Sequence, residues 1–263
     1  MSDSELVPEP YTNTKEFAHL EAKLDRLSRM LAEKELDLAT LENDLSIFEK
    51  KYAEKVGLLL VELDFLDTEI ARELFRLNPK QEYKQGFESA ERKAKRSKEA
   101  VNEKLKSEKK KKFEPSEDLK KLFRRVAKQI HPDLATDDEE RGFRTDLMAK
   151  ANEAYKNGDD ESLRNILVEW EQWKEKPRLK EDKVEELSEL ESLKQKVSQI
   201  KARIKIINAH IKALKESELY KLMIKVEEAE KRGADLLGEM AKDLQMRIQA
   251  AREMLKSLRQ QEA

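Results

Sequence analysis

The chain has 263 residues, of which 42% are Asp, Glu, Lys or Arg, while Gly and Pro number six each. This composition, combined with helical periodicity, is typical of long helices and coiled coils and not of a globular enzyme. The formal net charge of −2 provides no global attraction to nucleic acid or anionic lipid, and the lack of cysteine excludes disulfides and thiolate metal sites.

The sequence shows no targeting or membrane segment. No apolar run approaches the roughly 18 residues that a transmembrane helix needs. The opening MSDSELVPEP lacks the basic and apolar regions of a secretory signal. We therefore expect a cytoplasmic protein without a membrane partner.

The N-terminal third predicts a disordered tail at 1–14 and a coiled-coil helix at 15–78. Apolar residues alternate in steps of three and four, and Lys34 is the only polar member of the series. An extra step of four at Val56 is a stutter, which breaks the phase of the seam. Asn78 and Pro79 end the pattern. The seam residues are Phe17, Leu20, Leu24, Leu27, Leu31, Leu38, Leu41, Leu45, Phe48, Tyr52, Val56, Leu59, Leu63, Leu66, Ile70, Leu74 and Leu77.

Residues 79–113 are dominated by Gln, Glu, Lys and Arg and predict a charged, solvated and partly helical connector. The connector ends in the run Lys109 to Lys112. No aromatic side chains are interleaved with these lysines to stack on bases, so binding to nucleic acid is not expected.

The segment 114–174 predicts a helical hairpin. Ser116 is a candidate N-cap, and Glu117 with Asp118 adds negative charge to the first turn, where the helix dipole favours it. Pro132 disfavours helical geometry at the residue before it, so the first helix should end near Ile130. The apolar stripe of this helix is Leu119, Leu122, Phe123, Val126 and Ile130, and its opposite, basic face is Lys120, Lys121, Arg124, Arg125 and Lys128.

An exposed turn of His131, Pro132 and Asp133 is expected to follow, and then a second helix. Thr136 and Glu139 have capping-box spacing. Asn157 with Gly158 is a stop signal. The buried stripe of the second helix is Leu147, Met148, Ala151 and Tyr155. A third helix, with Leu163, Ile166, Leu167, Trp170 and Trp173 on one side, is expected to cover the core of the hairpin.

Residues 175–263, beyond a boundary at Pro177, predict a second coiled-coil helix whose phase jumps by five at Leu219. The predicted fold is therefore all-α: a hairpin flanked by two long coiled-coil helices. Antiparallel packing of these helices within the chain is the simplest closed arrangement. A homodimer or a partner helix filling the seams is the alternative, because the seam composition does not specify an oligomeric state.

The hairpin resembles the J-domain of DnaJ-type co-chaperones. The resemblance rests on LKKLFRRVAKQI before the His-Pro-Asp tripeptide and MAKANEAY after it, and extends from about Ser116 to Trp173. The whole chain is similar to bacterial J-domain proteins in which an "HPDL" hairpin is flanked by long helices. Two features differ from the family: no apolar helix precedes Ser116, where only Phe113 could contribute, and Leu134 stands where lysine is frequent.

This resemblance implies a partner and a mechanism. J-domain proteins bind the nucleotide-binding domain of a DnaK-type heat-shock chaperone and stimulate its ATP hydrolysis. Asp133 would act as a switch contact that shifts the partner toward its hydrolysis-competent state. The residues expected to bind the partner are His131, Pro132, Asp133, Lys120, Lys121, Arg124, Arg125 and Lys128. The chain itself would have no catalytic residue, cofactor or metal.

Two other functions stay open at this stage. A structural or tethering coiled-coil protein could use a degenerate or docking-only hairpin. A holdase could bind unfolded chains through opened seams. Stimulation of ATP hydrolysis distinguishes the co-chaperone from both.

Overall fold

The structure is a computed structural model that describes residues 10–106, 115–175 and 186–260. Every regular element in these ranges is helical, so the fold is all-α as predicted. None of these helices combines the length and apolarity that a membrane span requires. The elements are α1 Pro10–Tyr52, a π-helical turn Ala53–Gly57, α2 Leu58–Leu77, α3 Gln81–Lys106, α4 Glu117–Ile130, a 3-10 turn Pro132–Leu134, α5 Asp138–Asn157, α6 Asp160–Glu175, α7 Glu186–Glu216, α8 Glu218–Lys231 and α9 Leu236–Gln260.

The chain divides into two compact units, and α1 contributes residues to both. The first unit comprises Met1–Asn43 and Phe113–Lys215, and the second comprises Asp44–Lys112 and Glu216–Ala263. The backbone is already helical at Pro10, so the predicted tail is wrong for residues 10–14. The other predictions for the tail, at residues 1–9, and those for Lys109 to Lys112, Phe113 and Pro177 lie outside the described residues.

In the second unit, α3 packs back along α2 as an antiparallel hairpin. Lys93 forms an ion pair with Asp64 at 2.8 Å, and Ser97 donates a hydrogen bond to the same carboxylate at 2.6 Å. Farther along α3, Lys104 lies 3.1 Å from Glu49, near the end of α1. The prediction of a solvated connector is thus only half right. No residue of α3 is fully buried, but the helix is continuous and covers one side of α2.

The C-terminal helix of the second unit runs parallel to α2. Arg252 forms an ion pair with Glu62, and Arg259, seven residues later, forms one with Glu69 at 3.0 Å. From the first ion pair to the second, both helices advance by seven residues toward their C-termini, so their axes are parallel.

The first unit repeats this arrangement with α1 and α7. Lys194 contacts Glu16 at 2.7 Å, and Arg203 contacts Glu35 at 2.9 Å. The predicted antiparallel packing of the N-terminal and C-terminal seams is therefore wrong in each unit. In the second unit α3, which lies between α2 and α9 in the chain, runs antiparallel to α2, and α9 then follows the direction of α2.

The C-terminal seam is built from three helices instead of one. Ser217 interrupts it and caps α8 by accepting a hydrogen bond from the backbone N–H of Tyr220 at 3.2 Å. Gly233 adopts a positive φ of 79° after α8, and Asp235 caps α9 by accepting from the N–H of Gly238. The phase jump at Leu219 thus marks a new N-cap, which needs neither Gly nor Pro.

The core of the hairpin is completed by helices from outside it. Buried residues of α4 and α5 pack with α6, as predicted, and also with Ala32, Leu36 and Ala39 of α1. The hydroxyl groups of Thr40 and Tyr155 are hydrogen-bonded at 2.8 Å. The buried residues of the hairpin and α6 are Leu119, Phe123, Val126, Ala127, Ile130, Leu147, Met148, Ala151, Ala154, Tyr155, Leu163, Ile166, Trp170 and Trp173.

Candidate partner-docking site

The tripeptide turn is set by local sequence. Ser116 caps α4 by accepting from the N–H of Leu119 at 3.1 Å, and the helix ends at Ile130 as predicted. His131 is extended, with φ −59° and ψ 131°, because Pro132 excludes the helical region at the preceding residue. A short 3-10 turn then forms, in which the N–H of Leu134 donates to the carbonyl of His131 at 3.0 Å.

His131 is buried, with 2% exposure, so the prediction of an exposed turn is wrong for this residue. Its Nδ1 accepts a hydrogen bond from the backbone N–H of Asp133 at 3.1 Å. Its Nε2 lies 3.2 Å from Oε1 of Glu35 on α1. The network therefore assigns the proton to Nε2, which donates to the carboxylate. The imidazole holds the turn closed and connects it to α1.

Glu35 joins three helices of the first unit. The same Oε1 atom accepts from the guanidinium of Arg203 on α7 at 2.9 Å. Burial by itself raises the pKa of Glu35, but the hydrogen bond from His131 and the charge of Arg203 outweigh it, so the pKa lies below its usual value. Glu35 is thus a buried, ionised anchor for the turn.

A second buried pair holds the turn from the α5 side. Arg144 donates to the carbonyl oxygens of Gln129 at 2.7 Å and His131 at 3.2 Å, and it forms an ion pair with Glu140 at 2.7 Å. The cap of α5 lies one residue later than predicted. Asp137 is the N-cap and accepts from the N–H of Glu140, whose own carboxylate accepts from Thr136. The predicted box of Thr136 and Glu139 is therefore wrong by one position at each end.

Asp133 differs from its neighbours in being accessible. Its side chain is 30% exposed, and its Oδ2 lies 3.9 Å from Nδ1 of His131. Within the described ranges, no lysine or arginine pairs with this carboxylate. Leu134, by contrast, packs against a cluster from the α1 and α7 seams that includes Leu31, Leu38 and Ile204. Leu134 thus supplies an apolar contact that fixes the turn.

The basic face of α4 is divided into two rows. Lys121 and Arg125 lie on the solvent side, and Lys121 pairs with the neighbouring Asp118 at 3.3 Å. Arg124 forms an ion pair with Glu33 of α1 at 3.0 Å, and Lys128 forms one with Asp25 at 2.6 Å. Lys120 belongs to the inner row by its spacing but pairs with Glu117, one turn before it, at 2.9 Å. All five basic residues and the tripeptide therefore lie on one module, but only part of the surface is open.

Sequence reasoning missed Glu35, Arg203, Asp25 and Glu33 as parts of this site. Each lies in a long helix whose local pattern indicates only a seam. No local signal could have connected Arg203 to Glu35 across 168 positions. In the described part of the chain, no group of three or more His, Asp and Glu side chains is arranged to hold a metal ion.

Comparisons with known proteins add no constraint. A scan against protein-family models, a search of curated proteins and a search of solved structures return no match.

Proposed function

We propose that this chain is a J-domain co-chaperone that docks on a DnaK-type heat-shock chaperone in the cytoplasm and stimulates its ATP hydrolysis. The observation that best supports the proposal is the environment of the Asp133 carboxylate. Its partly exposed carboxylate sits on a turn fixed by three buried side chains, His131, Glu35 and Arg144, and no cation of the described chain neutralises it. A carboxylate held in this way is preorganised to pair with a basic group of a partner.

Two further features support the proposal. Lys121 and Arg125 form an open basic row on the helix that precedes the turn, which suits encounter with an acidic surface. In addition, α1 and α6 cover the hairpin core, a task that J-domains give to an apolar helix whose sequence pattern is not found before Ser116. In this proposal His131 positions the turn and does not touch the partner.

Single-turnover ATP hydrolysis by a cognate DnaK-type chaperone tests the proposal. The wild-type chain should accelerate hydrolysis, and Asp133→Asn should return the rate to that of the chaperone alone. Asp146→Asn is a matched control, because Asp146 is an exposed carboxylate on α5 that makes no ion pair in the described structure. Equal acceleration by wild type and Asp133→Asn contradicts the proposal.

The burial of His131 and the ion pairs of Arg124 and Lys128 with α1 favour a second candidate, a structural or tethering protein whose hairpin serves only as a rigid element. A chain of this kind would leave hydrolysis unchanged at every concentration. The same assay therefore separates the two functions.

A further inference from the structure

The inner half of the docking surface is occupied by carboxylates of the chain's own N-terminal helix. Asp25 and Glu33 lie eight residues apart on α1, and their partners Lys128 and Arg124 lie four apart on α4. Both ion pairs join different helices, unlike those of Lys120 and Lys121, which stay within α4. The row that α1 occupies is also the one that leads directly to His131 at the end of α4.

A third contact, at the turn itself, involves α7 as well. Glu35 accepts from His131 and from Arg203, and Leu134 packs into the seam formed by α1 and α7. Three acidic residues of α1 thus contact the basic helix or the turn: Asp25, Glu33 and Glu35. An acidic partner surface that docked on the full basic face would meet the same cations.

We propose that α1 acts as an internal competitor for the docking site: its acidic row occupies Arg124 and Lys128, and a partner with an acidic surface must displace it to engage the complete basic face. This inference rests on the proposed co-chaperone function and adds its regulation. With these ion pairs formed, the chain is in a closed state in which Lys121, Arg125 and Asp133 are the residues available for first contact with the partner. The apparent affinity for the partner equals the affinity of the open state multiplied by the fraction of molecules that are open.

The ion pairs of α1 with α4 can be broken by a partner, whereas the contact of α1 with the turn is buried and is kept. Asp25 and Glu33 are half-exposed, with side-chain exposures of 43% and 48%, and such pairs exchange readily with solvent or a partner. Glu35, at 7%, is part of the packed core. Partner docking therefore releases the ion pairs of Arg124 and Lys128 while the turn keeps its shape.

Titration of the single-turnover ATPase with the full-length chain tests the inference. The double variant Asp25→Asn with Glu33→Gln frees both cations, so the concentration for half-maximal stimulation should fall roughly fivefold relative to wild type. Glu21→Gln with Asp37→Asn is the matched control. It makes the same change in net charge on the same helix, but neither side chain has an ion pair with α4 in the described structure. The control should behave like wild type.

The outcomes separate the two proposals. If wild type stimulates hydrolysis and the double variant has the same half-maximal concentration, or if the control shifts as far as the double variant, the competitor is overturned and the co-chaperone function stands. If neither the wild type nor any variant stimulates ATP hydrolysis at any concentration, the proposed co-chaperone function is overturned. The inference, which rests on that function, is then overturned as well.

A measurement on the wild-type chain covers the case of a double variant that does not fold. The carboxylate carbon chemical shifts of Asp25 and Glu33 should move toward those of unpaired side chains when the ATP-bound chaperone is added, because docking breaks their ion pairs with Lys128 and Arg124. Unchanged shifts at saturating chaperone overturn the inference.

Discussion

Nε2 of His131 lies 3.2 Å from Oε1 of Glu35, although 96 positions separate the two residues in the chain. Both side chains are almost fully buried, with exposures of 2% and 7%. The contact joins the turn after α4 to the middle of α1, and Arg203 completes it from α7. The shape of the candidate docking turn therefore depends on a carboxylate outside the hairpin.

Glu35→Ala should destabilise the chain by about 1–3 kcal/mol, because the buried N–H of His131 loses its acceptor. Glu35→Gln should cost less, since its amide oxygen can still accept. Urea denaturation followed by far-ultraviolet circular dichroism measures both. Glu33→Gln, which removes one exposed ion pair on the same helix, should cost less than about 1 kcal/mol. Equal decreases in the free energy of unfolding for Glu35→Ala and Glu33→Gln would show that the buried contact stabilises the chain no more than an exposed ion pair does.

Acid should weaken the first unit through its buried carboxylates. Burial alone raises the pKa of Glu35 and of Glu140. Hydrogen bonds from His131 to Glu35 and from Thr136 to Glu140, with the charges of Arg203 and Arg144, more than offset this, so both pKa values lie below the ordinary 4.5. A carboxyl with a lowered folded-state pKa stabilises the fold fully above its unfolded value and loses that contribution as pH falls through the folded one.

The free energy of unfolding should therefore be insensitive to these groups above pH 4.5 and should decrease below it. Urea denaturation at a series of pH values gives the slope. Glu35→Gln, which cannot titrate, should show a shallower decline than wild type over the same range. Identical slopes would mean that Glu35 does not carry the pH dependence.

The sequence predicts the local features of this fold well. Ser116 caps α4, Pro132 ends it, and Gly158 ends α5 with a φ of 70°, each by an interaction within a few residues. Seam residues of the N-terminal helices such as Leu31, Leu45 and Leu63 are buried, since helical periodicity is a property of neighbouring turns. Even the stutter near Val56 has a structural counterpart in the π-helical turn at Ala53–Gly57, which absorbs the extra residue.

What the sequence does not contain is the direction in which one seam meets another. A heptad pattern has the same form in parallel and antiparallel pairs, so α7 and α9 could not be oriented from it. The burial of His131 escaped prediction for a related reason. A His-Pro-Asp turn is polar by itself, and only the distant Glu35 and Arg203 provide the partners that make its burial possible.

The parallel packing of α2 and α9 can be measured directly, because the chain has no cysteine and accepts spin labels at chosen sites only. Labels introduced by Glu69→Cys and Arg259→Cys should give a short distance by double electron–electron resonance. Labels introduced by Glu69→Cys and Lys242→Cys should be clearly farther apart, since Lys242 lies roughly 25 Å from Arg259 along α9. Antiparallel helices in contact at Glu62 and Arg252 would reverse the order of the two distances.

Gly57 closes the π-helical turn and lies against Val101 of α3. A Cβ atom added at this position would lie 3.0 Å from Cγ2 of Val101, closer than side chains normally approach. Gly57→Ala should therefore destabilise the second unit by about 1–2 kcal/mol through overpacking, despite the higher helix propensity of alanine. In a Val101→Ala background the overlap disappears, and the same substitution should become neutral or stabilising by up to about 1 kcal/mol.

Urea denaturation of the four chains in this double-mutant cycle gives the coupling between the two positions. Gly86→Ala is the control for helix propensity, because nothing lies within 4 Å of a Cβ added there, and it should stabilise α3 by about 0.5–1 kcal/mol. A sign change at Gly57 between the two backgrounds is expected, since the obstacle is one valine side chain and not the backbone. Strict additivity would place the cost in the conformation of the π-helical turn itself and remove the role assigned to Val101.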